Sequence, residues 1–443
     1  MTVTLRSLSV ATEPSFGCLD ATGTPDASAL SFISLACERD PVVIFGDPAF
    51  TTKNETRESF TGQPLEPDTM WRNGERVPRR TGTVSVRMDI TTLGASTELN
   101  YDNTGIGKLL NAGFKSFKPA LNGGQATTFT TANRFTDDGG NNADYEVGML
   151  LGYANAGGIA EYTAVTSKEN GVSQFQTISP ALTLNSGAAT LFPMQTWFMG
   201  VRNESGQTED SVVFDVSGPG FKTLCYGCKL QSVAFSLDGG RIMADFTFLS
   251  AYIIDDHENA ANNFPSEPQP LSGPTQHFRG AHVVLSDALG DYSRGTKTGT
   301  GLELDRNQFD VETFTLTFTN TLTPKAHSYS ILTMSDMEIT NTTVEASFTA
   351  TYLPGQHDFM YNDFKDKVVR SLMIGSGPVF DGAGFCLYLA GAFLTTDPRK
   401  LDVSGEIVKQ TLTYNLARFG GDVNTAGTAD IPSLSPFRLG LGV

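Results

Sequence analysis

Cys225-Tyr226-Gly227-Cys228 is the tightest group of potentially reactive side chains in this chain, with the spacing of a redox dithiol or half a zinc site. It stands alone. No second CxxC and no nearby His pair accompany it, and alternating residues rather than a helix start surround it. Two buried thiols at a strand entrance are the plainer reading. His257, His277 and His282 lie in or beside one acidic stretch, without the HxH or HxxxH spacing that sets two imidazoles on one metal. Exposed histidines are expected there. Asp137 to Asp144 is acid-rich, but it lacks the alternate ligands, sixth-position glycine and closing Glu of a calcium loop, so it reads as a turn. Gly299-Thr300-Gly301 is not flanked by the strand-to-helix switch of a phosphate cradle. Asp255-Asp256 reads as solvating charge, and neither a GxSxG elbow nor a P-loop is present. The expectation is a protein without catalytic residues, cofactor or metal: not an enzyme.

The composition points to the elements that must then carry function. The chain has 443 residues, only 18% of them charged, with abundant Gly, Thr, Ser and Phe and a net charge of −17. That profile belongs to a β-rich, turn-rich protein long enough for two domains. The acidity argues against a surface that clamps nucleic acid, since phosphate contacts need Lys and Arg. It allows a surface along which a polyanion slides without sticking. Five cysteines are too few and uneven for a disulfide framework, so synthesis in a reducing cytoplasm is expected. Neither a membrane span nor a secretory leader is read from the apolar runs.

Along the chain, apolar runs between Phe32 and Phe45 suggest early strands. From Asp47 to Arg80 periodicity disappears into a long arm of balanced charge. It carries Arg57, Glu58, Phe60, Trp71, Arg72, Arg76, Arg79 and Arg80, and Arg and aromatic residues anchor interfaces. Thr83 to Ile90 alternates: Val84, Val86, Met88 and Ile90 face one way, Thr83, Ser85, Arg87 and Asp89 the other. A short helix follows, capped by Asp102, Asn103 or Thr104, with Ile106, Leu109, Leu110 and Phe114 at helical spacing. Residues 118–195 form a Gly/Asn/Thr/Ala-rich insertion with its own hairpins. Leu230 to Leu249 is a hairpin turning at Asp238-Gly239-Gly240. The acidic, Pro-rich stretch 256–277 reads as a linker between a first domain, 1–255, and a second, 278–443.

The second half repeats the order. Val344 to Tyr352 alternates, leaving Glu345, Ser347, Thr349 and Thr351 on the polar face, and a helix capped by Asn362 follows with Phe364, Val368 and Leu372. Val408 to Leu416 is a last strand. Ser217-Gly218-Pro219-Gly220-Phe221 and Ser376-Gly377-Pro378-Val379-Phe380 are a further, weaker match. Two copies of one β-rich unit without evident chemistry point to assembly.

Four stretches carry a resemblance to the tail tube proteins of long-tailed bacteriophages. They are Glu58-Ser59 through Arg79-Arg80-Thr81-Gly82-Thr83-Val84, the Gly107-Lys108-Leu109-Leu110 helix, Tyr226 to Val233 running into the Asp238-Gly239-Gly240 hairpin, and "FTLTFTNTL" with "TTVEASFTATY" after it. The resemblance implies a mainly β chain of two tandem β-sandwich or barrel tube-like domains, each with a short flanking α-helix. It implies rings that stack into a conduit for viral DNA during genome ejection, here as homotrimers with pseudo-sixfold symmetry, in a virion tail made in the host cytoplasm. Its partners would be further copies of itself, other tail proteins and DNA passing without specific binding. The arm 47–80 would reach the adjacent ring, and the insertion would decorate the outside. Ser85, Asp89, Glu345, Ser347 and Thr349 would then face the lumen. Two alternatives stand beside it. One is another virion component, a capsid decoration or baseplate protein. The other is a carbohydrate-binding β-sandwich, for which a row of exposed aromatic residues would be needed and only Trp71 and Trp197 are available.

Overall fold

The computed structural model describes residues 7–19, 25–35, 37, 42–45, 81–91, 93, 100–120, 123–131, 133–138, 145–154, 160–168, 176–179, 182, 186–199, 210–218, 221–238, 240–255, 282–287, 307–309, 311–326, 334–352, 354–377, 384–405, 407–417 and 435–442. The chain is mainly β. Its first part contains β1 (Ser7–Thr12), β2 (Ile33–Ser34), β3 (Val42–Phe45), β4 (Gly82–Asp89), α1 (Gly105–Asn111) and β5 (Lys115–Phe117). Then come β6 (Gln125–Thr131), β7 (Arg134–Asp137), β8 (Leu150–Ala154), β9 (Ala160–Lys168), β10 (Gln176–Ser179), β11 (Gly187–Pro193) and β12 (Gln195–Phe198). β13 (Val212–Gly218), β14 (Phe221–Asp238), β15 (Arg241–Ser250) and β16 (Tyr252–Asp255) follow. The remainder holds β17 (His282–Asp287), β18 (Asn307–Phe309), β19 (Val311–Ala326), β20 (Met334–Thr351), α2 (Pro354–Asp366), β21 (Val369–Ser376), β22 (Phe385–Leu394), β23 (Leu401–Asp402), β24 (Lys409–Leu416) and β25 (Phe437–Leu441).

Alternation in sequence becomes alternation in burial. In β4, Val84, Val86 and Met88 are buried while Ser85, Arg87 and Asp89 stay partly open. Thr104 is the cap of α1: its Oγ1 accepts from the Gly107 N–H at 3.1 Å. The second helix departs from expectation. It begins at Pro354, not at Asn362, because proline suits the first helical turn, where no donor is required. Asn362 sits inside it, Lys367 takes a left-handed φ of 53° just after its end, and Leu372 belongs to β21.

One pairing scheme occurs twice. β1 pairs with β2 and β13, as β17 pairs with β18 and β21. The hairpin β3–β4 matches β19–β20, and β4–β15 matches β20–β24. β13–β14 matches β21–β22, β14–β15 matches β22–β24, and β14–β16 matches β22–β25. Both Ser-Gly-Pro segments fall at corresponding hairpin ends, β13 closing at Gly218 and β21 at Ser376. The two copies are not packed as separate cores. One apolar cluster runs from Leu8 through Phe235, Phe314 and Phe348 to Leu441. Phe114, Phe318 and Phe437 meet within it, with ring centroids 4.5 Å and 5.5 Å apart.

The insertion has its own architecture. β6 to β11 close a six-stranded barrel in the order β10-β7-β6-β11-β8-β9. Phe129, Phe135, Tyr145, Met149, Leu151, Val165, Ile178 and Leu191 belong to the apolar cluster of its buried residues. Closure removes strand edges from the inserted segment. Its flanking strands β5 and β12 pair with each other, and β12 also pairs with β25. Tyr162 of the barrel plugs into the second copy: its hydroxyl donates to the Ser376 carbonyl at 2.5 Å and the Gly377 carbonyl at 2.9 Å. Its ring lies where a Gly375 Cβ would stand, 2.0 Å away. Gly375→Ala should therefore cost about 1–3 kcal/mol through overpacking. Tyr162→Phe should cost about 1–3 kcal/mol through lost pairing of buried carbonyls. Urea unfolding measures both, and faster proteolysis within residues 125–193 would place the loss at this joint.

Candidate functional site

β4, β15, β14, β19, β20 and β24 lie side by side in one antiparallel sheet. One face is apolar and buried: Val84, Val86, Phe246, Phe248, Val233, Phe235, Phe314, Leu316, Phe318, Val344, Phe348, Leu412 and Tyr414. The register aligns the residues of the other face into rows. One row reads Ser85, Thr247, Ser232, Thr319, Thr343. The next reads Arg87, Asp245, Ala234, Thr317, Glu345, Asn415, and a third Asp89, Met243, Ser236, Thr315, Ser347, Thr413. Thr313, Thr349 and Thr411 extend it. Ser85, Asp89, Glu345, Ser347 and Thr349, far apart in sequence, thus share a single face.

That face is hydroxyl-rich, and its cations are paired. Arg87 bonds Asp238 and reaches Asp245 at 3.4 Å, Arg241 meets Asp89 at 2.8 Å, and Lys409 meets Glu312 at 2.7 Å. With Glu345, five carboxylates (Asp89, Asp238, Asp245, Glu312, Glu345) stand against three cations, a balance of −2. Neighbouring hydroxyls bond across strands, Ser347 to Thr413 at 3.3 Å and Thr349 to Thr411 at 3.1 Å. Met243 apart, which is buried, the rows are at least partly open to water and weakly acidic, and among the described residues their cations are paired.

The Cys225/Cys228 pair lies elsewhere and is enclosed. Cys225 and Cys228 are buried thiols in no disulfide, inside β14 and not at its entrance, and Cys228 Sγ donates to the Cys225 carbonyl at 3.3 Å. Burial pushes the Cys228 and Cys386 thiols well above their ordinary range and Cys37 up to about 12, which disfavours the thiolate that redox or metal chemistry needs. Among the described residues no His/Cys/Asp/Glu cluster of metal-binding size occurs, and no helix there is long and apolar enough to cross a membrane. His257 and His277 lie outside the described residues. So does the whole arm 47–80, with Arg57, Glu58, Phe60, Trp71, Arg72, Arg76, Arg79 and Arg80; its ends are fixed, since Phe45 pairs with Gly82. It is the connection of the β3–β4 hairpin. Trp197 is fully buried, donating to Asn111 Oδ1 at 2.7 Å, and offers no platform for a sugar.

Sequence reasoning passed over Glu13. Its carboxylate accepts from the Gly17 N–H at 2.9 Å, the Gly227 N–H at 2.8 Å and the Ser211 hydroxyl. It holds Gly227, which has φ of 59°, where β14 passes from the β13/β16 side into the sheet beside β15 and β19. The clue in sequence is only Gly227 within an alternating run. Burial pushes the Glu13 carboxyl up to about 7, against the pull of Ser211, Gly227, Gly17 and Lys229. Backbone donors and Ser211 occupy both oxygens, so the group is a clamp and not a general base.

No protein-family model matches the chain, and no characterised protein compared with it gives a significant match. The reading of its function therefore rests on geometry.

The folded value of Glu13 lies above its ordinary 4.5, so the native state keeps a proton that the unfolded chain has already lost. Stability from this group is full below about pH 4.5 and falls as pH rises through about 7, by roughly 3 kcal/mol. Glu13→Gln should flatten the melting-temperature profile between pH 5 and 7, whatever its effect on absolute stability. An unchanged slope would show that Glu13 is not the titrating group.

Proposed function

We propose that this chain is a structural subunit of a bacteriophage tail tube, assembling as trimeric rings that stack into a conduit for DNA. The observation that carries the reading is the single sheet built from two copies of one pairing scheme, joined at β14–β19, with a hydroxyl-lined open face. A tube wall needs three things from its subunit, and two of them have support within the chain. It needs repeated units that continue one another edge to edge, and one such continuation lies within the chain. It needs a face on which DNA does not stick, and the open face has paired cations and a slight excess of carboxylate. It also needs strand edges that are used up by assembly instead of left as aggregation templates. Three chains would supply six copies of the scheme, which gives pseudo-sixfold rings. The arm 47–80, emerging from the β3–β4 hairpin, would reach a neighbouring ring, while the inserted barrel would stand outside.

The purified chain, incubated with its tail initiator, should give hollow tubes of regular axial repeat in negative-stain micrographs. A monomer that stays monodisperse and forms no tube under those conditions would sink the proposal. Tubes carrying Thr317→Arg and Ser347→Arg should retain duplex DNA at low salt and release it as salt rises, whereas wild-type tubes retain none. Each added phosphate contact steepens the salt dependence by about one unit of log–log slope.

A further inference from the structure

The chain holds one completed joint between its copies and, by the same scheme, one left open. In the first copy, β14 and β15 form a hairpin that turns at Asp238 to Arg241, and the Ile90 N–H donates to the Ile242 carbonyl at 3.0 Å. The outer edge of β14 carries β19, from Ser232 opposite Thr319 to Ser236 opposite Thr315. The second copy has the equivalent hairpin in β22, β23 and β24. Thr395 N–H donates to the Thr413 carbonyl at 2.8 Å, Leu401 and Asp402 face Gln410 and Lys409, and Tyr352 N–H donates to the Val408 carbonyl at 2.9 Å. Among the described residues no strand lies on the outer edge of its 395–402 segment. At the opposite end of the sheet β3 pairs, among the described residues, with β4 alone. In the pairing scheme β3 holds the place that β19 holds at the completed joint.

The turns of the two hairpins differ in kind. The first is Asp238-Gly239-Gly240-Arg241, polar and tied to the sheet through Arg87 and Asp89. The second, 403–408, carries Val403, Ile407 and Val408 at 69%, 56% and 36% exposure, the exposed large apolar side chains of the described residues. A single exposed aliphatic residue needs no explanation, but three between β23 and β24, beside an edge that no described strand covers, make a candidate contact surface. Pro398 lacks a backbone donor, so the 395–402 edge offers only a short run of hydrogen bonds and needs apolar burial to hold a partner.

We infer that β3 of a second copy of this chain seats on the outer edge of the 395–402 segment, with Val403, Ile407 and Val408 covering the joint. The occupant is a second copy because the chain contains the template: β14–β19 shows which element of one unit continues the sheet of the unit before it. This deepens the tube reading and rests on it, since it names the surfaces through which the chains of one ring would meet.

A Val403→Lys/Ile407→Lys double variant tests it, because both side chains are exposed and their loss should leave the monomer's melting temperature unchanged. The concentration needed for assembly should rise about tenfold or more, the factor that about 1.4 kcal/mol of lost association energy gives. In a second measurement, a photo-reactive residue at Ile407 in a mixture of light and heavy isotope-labelled chains should cross-link to tryptic peptide 40–53 of the other isotope. Wild-type assembly with cross-links elsewhere, or a double variant that assembles at the wild-type concentration, overturns the joint and leaves the tube reading standing. Failure of the wild type to assemble at all overturns both.

Discussion

The antiparallel joint between β14 and β19 is the constraint on which the other features depend. Ser232 to Ser236 lie opposite Thr319 to Thr315, and that pairing fuses two copies of a folding scheme into one sheet. Side chains alternate with a period of two, so a slip of one residue here would turn Phe314, Leu316 and Phe318 toward solvent and the threonines of β19 into the core. The register is held from beneath by Phe114 and Phe437, which pack on Phe318. It is held at the side by Asn320, whose amide donates to the Leu230 carbonyl at 3.1 Å, and by Thr342, which donates to Asn320 Oδ1 at 2.7 Å. A sheet built this way has the same polar face from β4 to β24.

β14 meets a second demand, since its eighteen residues serve two neighbourhoods. Up to Cys228 it runs between β13 and β16, and beyond Lys229 it runs between β15 and β19. The change of partners occurs at Gly227, where a Cβ would meet Ala251 Cβ at 2.8 Å and the Phe16 ring at 3.0 Å. Burying a carboxylate there is costly, and Glu13 offsets the cost by satisfying backbone donors that neither neighbourhood supplies. Lys229, 2% exposed, extends the same logic: its ammonium meets Asp336 at 2.7 Å and the Met337 carbonyl at 3.0 Å, tying the far end of the β19–β20 hairpin to the bend. The polar groups at this bend work as braces.

Much of this was legible in the sequence, for identifiable reasons. Period-two alternation in Thr83 to Ile90 and Val344 to Tyr352 survives into the fold, because each strand buries one face only. The insertion was legible as a change of composition, although the closure of β6 to β11 into a barrel depends on pairings between residues that share no local signal. The start of α2 was misplaced because Asn362 resembles a cap, while Pro354 is read more readily as a breaker than as a first helical residue. The Ser-Gly-Pro match is weak in sequence because the segment holding β5 to β12, barrel included, separates α1 from β13, whereas α2 runs almost directly into β21. Glu13 was invisible because its partners, Gly17, Ser211 and Gly227, come together only through tertiary structure.

A surface beside which a polyanion must move is limited on two sides. Unpaired Lys and Arg would hold phosphates by counterion release, while a dense carboxylate wall would strain its own sheet, since like charges directly opposite each other destabilise a strand pair. Threonine and serine resolve the conflict. Their β-carbon substituents favour extended backbone, their hydroxyls bond sideways to one another and to water, and they carry no charge. The rows Ser85-Thr247-Ser232-Thr319-Thr343 and Thr313-Thr349-Thr411 are such a solution, with carboxylates confined to positions where an arginine or lysine stands near most of them. The polarity of this face contrasts with Val403, Ile407 and Val408, the large apolar side chains that are exposed among the described residues. On the proposed tube reading, adhesion and its avoidance would be separated in space, the first at a strand edge and the second across a sheet face.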